Sequence, residues 1–232
     1  MKNNYTHLVF LRDRSGSMSI VKNDVIGGFN EFIAEQKKEP GELTVTSVQF
    51  DTMEPYQVLN DFSPLHQVEL LNENNYVPRG GTPLNDALGK LIVETGNRLA
   101  KLKEEDRPEK VIVVVITDGE ENASHEYSTA KIKEMISHQE TVYKWKFIYI
   151  GANQDAFAQA SARGMGTSVN YMASSIGTKA AFRGSSKLAK MMRTQSNSSF
   201  ASQDSYSDQL QKDYEESLKE IEKEEEDKKD SK

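Results

Sequence analysis

Three short segments of this 232-residue chain carry oxygen donors at spacings that suit a hard cation. Asp13-Arg-Ser15-Gly-Ser17 puts a carboxylate and two hydroxyls on alternate residues. If the chain turns sharply there, those side chains point at one centre, and Gly16 tolerates the tight backbone. Gly80-Gly81-Thr82-Pro83 adds a third hydroxyl, and its two glycines let the backbone come close. Thr117-Asp118-Gly119 adds a second carboxylate. Oxygen-only donors of this kind suit a cation such as Mg²⁺, held at about 2.0–2.1 Å in octahedral geometry. Each segment alone has an ordinary reading. Ser17 or Ser19 can cap a helix, Thr82-Pro83 can be a cap followed by proline at the first helical position, and Asp118-Gly119 can be a turn. Together, each at a strand end or a helix start, they read as one site.

The elements that must position them follow from hydrophobic patterning. His7–Leu11 reads as a buried strand, and Val21, Val25, Phe29 and Phe32-Ile33 mark a helix over about 20–38, stopped by Pro40-Gly41. Leu43–Phe50 and Tyr56–Leu59 read as two strands, and the tight link between them favours antiparallel pairing. Leu84, Leu88, Leu91-Ile92 and Leu99 mark a helix over 84–103. Val111–Ile116 is six β-branched residues in a row, which belongs in the middle of a parallel sheet covered on both sides. A helix over 127–138, a strand over 144–150, a helix over 155–163, a strand over 168–171 and a helix over 174–192 complete the pattern. The order predicts an α/β, doubly wound, mostly parallel sheet with strand order 3-2-1-4-5-6, its third strand antiparallel at one edge, and helices on both faces. In such sheets ligands bind outside the carboxyl ends of the strands. If the strands ending at Asp13 and Asp118 are neighbours, two carboxylates and three hydroxyls share one crevice.

Composition excludes several classes. The chain has no cysteine, so a disulfide scaffold and a cysteine-based metal or redox site are ruled out. The longest apolar run, Val111–Ile116, is far too short for a membrane span, and the N-terminus lacks a signal-peptide core. A cytoplasmic protein without a membrane partner is expected. The net charge is −7, and residues 203–232 carry 12 acids against 6 bases, so the rest is near neutral and offers no basic groove for nucleic acid. Residues 194–207 hold six serines and read as a flexible linker. Beyond them Leu210, Tyr214, Leu218 and Ile221 form one stripe of an amphipathic helix, either frayed and charged or docked. The division is thus a domain over 1–193 and a serine-rich linker with an acidic tail over 194–232, whose removal is expected to cost little stability.

The three motifs in register resemble the von Willebrand factor type A domain with its metal-ion-dependent adhesion site. Asp13-Arg-Ser-Gly-Ser-Met is similar to that family's Asp-x-Ser-x-Ser motif, Thr82 in Gly-Gly-Thr-Pro-Leu to its single threonine, and Asp118 in Ile-Thr-Asp-Gly to its distal aspartate. The resemblance covers about residues 5–185. Phe147-Ile-Tyr-Ile-Gly-Ala-Asn153 and Tyr76-Val-Pro-Arg-Gly-Gly look like its bacterial and phage single-domain branch. The resemblance implies that Ser15, Ser17 and Thr82 coordinate Mg²⁺ (or Mn²⁺ or Ca²⁺), with Asp13 and Asp118 acting largely through waters and hydrogen bonds. It also implies that a protein partner completes the octahedron with an Asp or Glu, and that the module is not an enzyme. One departure is Arg12, where the family usually has an apolar residue. On strand alternation Arg12 shares a face with Leu8 and Phe10, so it must reach water or a carboxylate.

Other residues read more plainly. His7, His66, His125 and His138 are scattered without ligand spacing and are expected at surface or boundary positions. Trp145, Phe147 and Tyr149 alternate on a strand and read as packing. Arg79 reads as turn scaffolding or as a contact for the partner's acid. Glu120, Glu121 and Asn122 read as an exposed loop face or a rim of the site. An alternative function is a metal-dependent phosphotransferase or phosphatase similar to the haloacid dehalogenases, with a strand-1 aspartate nucleophile. That family's second carboxylate and lysine are not in register here. A third is a regulatory subunit of an ATPase or kinase complex, where the chemistry is the partner's because no Walker motif is present.

Overall fold

The Val111–Ile116 run has no polar face to show to water, and the fold gives it none: all six residues are buried. They form the middle of β4 (Pro108–Thr117), which pairs in parallel with β1 (Lys2–Asp13) and with β5 (Lys146–Ala152). A computed structural model describes residues 1–118, 120–152, 156–195 and 203–230. The other strands are β2 (Glu42–Phe50), β3 (Gln57–Pro64) and β6 (Thr167–Tyr171). The sheet order is β3-β2-β1-β4-β5-β6, with β3 antiparallel to β2 at one edge and every other pair parallel. This is the order and the edge pairing that the short 51–55 link and the long crossovers predict.

Alternation along the strands divides the core. Leu8, Phe10, Ile112 and Val114 face α1 (Lys22–Gln36) and α5 (Ser175–Thr194), where Phe29, Phe32 and Phe182 meet them. Val9, Leu11, Val113 and Val115 face α2 (Leu84–Lys101), α3 (Thr129–Tyr143) and α4 (Ala156–Ala162), with Leu88, Leu91, Ile136 and Phe147. Trp145, Phe147 and Tyr149 are buried in that second core, as packing residues should be. Gly28 of α1 is the point of closest approach to α5: a Cβ there would lie 2.3 Å from the Phe182 ring.

Two buried residues depart from expectation. Arg12 reaches neither water nor a carboxylate. It is fully buried, Nη2 donates to Ser47 Oγ at 2.8 Å, and the guanidinium lies 4.4 Å from the Phe29 ring centre. The aromatic face and the hydroxyl take the place of the expected carboxylate, and burial lowers its pKa to about 10. His7 is also fully buried instead of lying at the surface, whereas His66, His125 and His138 are exposed. Its ring stacks on Phe62 at 3.6 Å, and Nδ1 shares a hydrogen bond with Thr44 Oγ1 at 2.9 Å. Phe62 adopts φ +49, a left-handed conformation unusual for a bulky residue.

The acidic tail is a helix, α6 (Gln203–Asp230), and it is docked. Leu210, Tyr214 and Ile221 of the sequence stripe are buried, and Tyr206 extends the stripe by one turn. Gly184 on α5 admits it: a Cβ there would lie 2.9 Å from the Tyr214 backbone nitrogen. Arg183 bridges Glu31 of α1 and Glu224 of α6. The Ser207 hydroxyl accepts from the Ser168 N–H and donates to the Ser168 carbonyl, and Tyr214 OH accepts from the Met172 N–H, so α6 lies along the outer edge of β6. The expectation that this segment adds little stability is therefore replaced: its apolar stripe belongs to the α1–α5 core. The centre of the serine-rich segment, 196–202, lies outside the described residues. So do Gly119 and 153–155, which include the expected start of α4 at Asp155.

Candidate metal centre

Pairing of Arg12 with Ile116 across β1 and β4 brings both strands out at the same carboxyl edge, so Asp13 ends up beside Thr117. Thr117 Oγ1 donates to Asp13 Oδ2 at 2.6 Å, and the Ser15 N–H donates to Asp13 Oδ1 at 2.7 Å. Asp13 is fully buried, and its own carbonyl accepts from the buried Tyr76 OH at 2.7 Å. Above it, Ser15 Oγ and Ser17 Oγ share a hydrogen bond of 3.0 Å, and Ser17 Oγ donates to Asp118 Oδ1 at 2.7 Å. Four of the five expected site residues thus form one hydrogen-bonded chain from β1 to β4.

Thr82 arrives through backbone contacts. The Arg79 N–H donates to the Arg14 carbonyl at 2.8 Å, and the Gly16 N–H donates to the Gly80 carbonyl at 3.0 Å. Gly80 has φ +66, a conformation that favours glycine. On the other side the Thr82 N–H donates to Asn122 Oδ1 at 2.9 Å, and the Asn122 N–H returns to the Thr82 carbonyl at 3.2 Å. Thr82 therefore sits, buried, between the loop that follows β1 and the loop that follows β4.

Several residues that hold these loops carry no motif. The buried Asp51 carboxylate accepts from the N–H groups of Met53 and Glu54, from Arg14, and from Arg79. Arg14 lies inside the Asp-x-Ser-x-Ser segment, and Arg79 lies three residues before Thr82. Arg79 is thus scaffold, though 38% of its side chain remains exposed. Glu121 accepts from the N–H groups of Ala123, Ser124 and Asn85, and Asp86 accepts from those of His125, Glu126 and Tyr127. Glu120 and Asn122 are exposed as expected, whereas the half-buried Glu121, together with the Asn122 amide, also ties the loops together. The available signal for Asp51 was its place at the end of the strand predicted beside the one that leads into Arg14.

The electrostatics favour a positive guest. Burial pushes the Asp13 carboxyl up to about 6, although hydrogen bonds from Thr117 and Ser15 oppose this, and the Asp118 carboxylate adds to the rise. Burial also raises Asp118, against the Ser17 hydrogen bond. For both carboxylates burial disfavours the charged form and so favours a bound proton. Among the described residues no group of three or more His, Cys, Asp or Glu side chains could hold a metal. The donors gathered at this edge are instead two carboxylates and hydroxyls, a set suited to a hard, oxygen-seeking ion.

No family model matches the chain, and no curated protein matches it by sequence. Solved structures do match. A von Willebrand factor type A protein from Catenulispora acidiphila aligns over 81% of this chain and 43% of its own, with TM-score 0.53 and 14% identity. The proximal thread matrix protein 1 of the mussel byssus aligns over 81% and 46%, with TM-score 0.52 and 16% identity. Manganese-loaded TRAP protein of Plasmodium vivax aligns over 74% and 70%, with TM-score 0.52 and 17% identity. The chain thus spans less than half the length of the first two. At these identities the likeness concerns the fold alone: the chain has the fold of the von Willebrand factor type A domain. Among the described residues no helix is long and apolar enough to cross a membrane.

Proposed function

We propose that this chain is a protein-binding module that captures an acidic side chain of its partner through a divalent cation. The observation that carries the reading is the hydrogen-bonded chain Asp13–Ser15–Ser17–Asp118 at the carboxyl edge, with Thr82 seated beside it. Ser15, Ser17 and Thr82 would hold Mg²⁺, or Mn²⁺ or Ca²⁺, through neutral hydroxyls, and Asp13 and Asp118 would orient those hydroxyls and balance charge. An ion held mostly by neutral oxygens keeps much of its positive charge. It therefore has reason to take a carboxylate from outside. The metal named in the Plasmodium TRAP structure supports the choice of a divalent ion.

The reading is of a non-enzymatic, cytoplasmic domain of bacterial or phage type over 1–193, onto whose α1–α5 core the α6 helix docks. Calorimetry with Mg²⁺ tests it: one site should bind, and Asp13→Ala and Thr82→Ala should abolish or sharply weaken it. A heat signal identical in wild type and both variants would remove the site. The phosphotransferase alternative is disfavoured because Asp13 is fully buried and both of its oxygens are engaged by Thr117 and Ser15, leaving it poorly placed for attack.

A further inference from the structure

We propose that Phe62 is a proton-operated latch: its ring seals His7 from water, and a proton on His7 swings the ring out and opens the end of β3 while the rest of the sheet stays paired. The latch stands apart from the metal centre and does not depend on it. Six steps along β1, about 20 Å at 3.3 Å each, separate His7 from Asp13.

The edge strand is bent to deliver this one ring. Between the pairs Val45–Ser63 and Ser47–Asn60, two residues of β3, Asp61 and Phe62, stand opposite the single Thr46 of β2. Such a β-bulge re-aims a side chain. Phe62 has φ +49, which strains a bulky residue and persists only where its surroundings hold it. Three contacts hold it. The Phe62 N–H donates to Thr46 Oγ1 at 3.1 Å. The His7 ring stacks on one face, with centres 3.6 Å apart and planes 10° apart. Two groups that close cannot share a face, so the Arg98 guanidinium of α2, 4.4 Å from the ring centre and paired with Asp61, covers the other.

His7 behind the ring is equipped only for the neutral form. Its Nδ1 lies 2.9 Å from Thr44 Oγ1, which the Tyr5 OH also meets at 2.9 Å, and its Nε2 has no hydrogen-bond partner among the described residues. An imidazolium carries two N–H donors, so one would be stranded, and its charge would face Arg98 across a single ring. Among the described residues no carboxylate pairs with His7. Asp61 is engaged with Arg98, Glu94 is hydrogen-bonded to Tyr56, Glu42 is paired with Lys2, and Glu109 of β4 accepts from the Asn4 N–H. Lys101 adds a further cation on the α2 side.

The way out is short. The half-buried Phe62 is also a wall of a cleft of about 790 Å³ between β3 and α2. Moving this side chain joins His7 to solvent, and no pair of the central sheet has to part. Once wet, His7 titrates near the ordinary 6.5. A proton bound only by the open state enlarges that state about tenfold between pH 7.5 and pH 5.5.

The test is hydrogen exchange of the full chain, read by NMR at the Phe62 amide in low, rising urea at the two pH values, with intrinsic exchange divided out. In wild type the opening constant should rise about tenfold at pH 5.5 and vary little with urea. The Val114 amide of β4 should show the full urea dependence of global unfolding. His7→Gln should make the opening at Phe62 independent of pH. In Phe62→Gly, where glycine adopts φ +49 freely, the His7 ring signals should titrate near 6.5, whereas in wild type they should show no titration above pH 5. A wild-type opening that ignores pH, or that shares the urea dependence of Val114, overturns the latch whatever the glycine variant does. So does wild-type His7 titrating near 6.5, or a folded Phe62→Gly protein in which His7 still takes no proton above pH 5.

Discussion

Arg14 Nε donates to Asp51 Oδ2 at 2.7 Å, which ties the Asp13–Ser17 loop to the β2–β3 turn. Both side chains are buried, and Asp51 also receives Arg79 from the loop that carries Thr82. Burial alone would raise the Asp51 pKa, but the N–H groups of Glu54 and Met53 and the Arg14 charge hold it below the ordinary range.

Asp51→Ala should therefore destabilise the fold by about 3 kcal/mol, because the buried Arg14 loses its nearest carboxylate and keeps only Glu54 and Gln57, and the Met53 and Glu54 N–H groups lose their acceptor. Asp51→Leu combined with Arg14→Met should cost clearly less, because no buried charge is stranded. Urea unfolding of the single and double variants checks the order. A single variant no worse than the double would show that the pair carries no such charge.

Thr82→Ala removes a hydroxyl and a methyl from a residue held mainly by its backbone. A stability loss of about 1 kcal/mol is expected, together with a much larger loss of Mg²⁺ affinity. Calorimetry read alongside the melting temperature separates the two effects. Equal proportional losses in both would mean that Thr82 is structural only.

His7 makes stability depend on pH. Burial, with the Arg98 charge, lowers its folded pKa to about 3, whereas an unfolded histidine titrates near 6.5. Between those values the unfolded chain binds a proton that the folded chain refuses, so stability present above pH 6.5 is lost as the pH falls. From pH 7.5 to 5.5 the loss is about 1.4 kcal/mol. Asp13, raised to about 6, acts in the opposite sense over part of this range. The comparison is therefore wild type against His7→Gln by urea midpoint, and only wild type should show the extra loss at pH 5.5. Parallel pH profiles for the two proteins would refute it.

Deleting 194–232 should lower the melting temperature by many degrees, because Tyr206, Leu210, Tyr214 and Ile221 leave the α5 face together. Leu210→Ala alone should cost about 2–5 kcal/mol, as for buried leucines generally. Differential scanning calorimetry reads both. A truncated chain melting with the full one would show that α6 contributes nothing to the domain.

The sheet order was legible because Val111–Ile116 demands two neighbours and two covered faces, while the short 51–55 link forces an antiparallel edge. The meeting of Asp13, Ser15, Ser17, Thr82 and Asp118 was legible because four of them follow the ends of neighbouring strands and Thr82 precedes a helix. Arg12 was not: alternation showed its face, but not that Phe29 and Ser47 would stand in for a carboxylate. His7 was hidden because its partners, Thr44 and Phe62, come from two other strands, and Phe62 reaches it only through a left-handed backbone. The docking of α6 was half legible. Its stripe was present, but charge dominated the composition, and the groove that receives it depends on Gly184.

The position of α6 over β6 bears on self-association. An open strand edge is a template on which further strands polymerise. Here the Ser207 hydroxyl occupies the N–H and the carbonyl of Ser168 in β6, and the Tyr214 hydroxyl takes the Met172 N–H just beyond it, groups that an added strand would need. At the opposite edge β3 carries register shifts and Asp61, ends in Pro64, and turns the Phe62 N–H inward to Thr46. Growth by strand addition is obstructed at both ends of the sheet. Neither edge of the sheet offers an uninterrupted row of free backbone groups on which copies of the chain could stack as fibres.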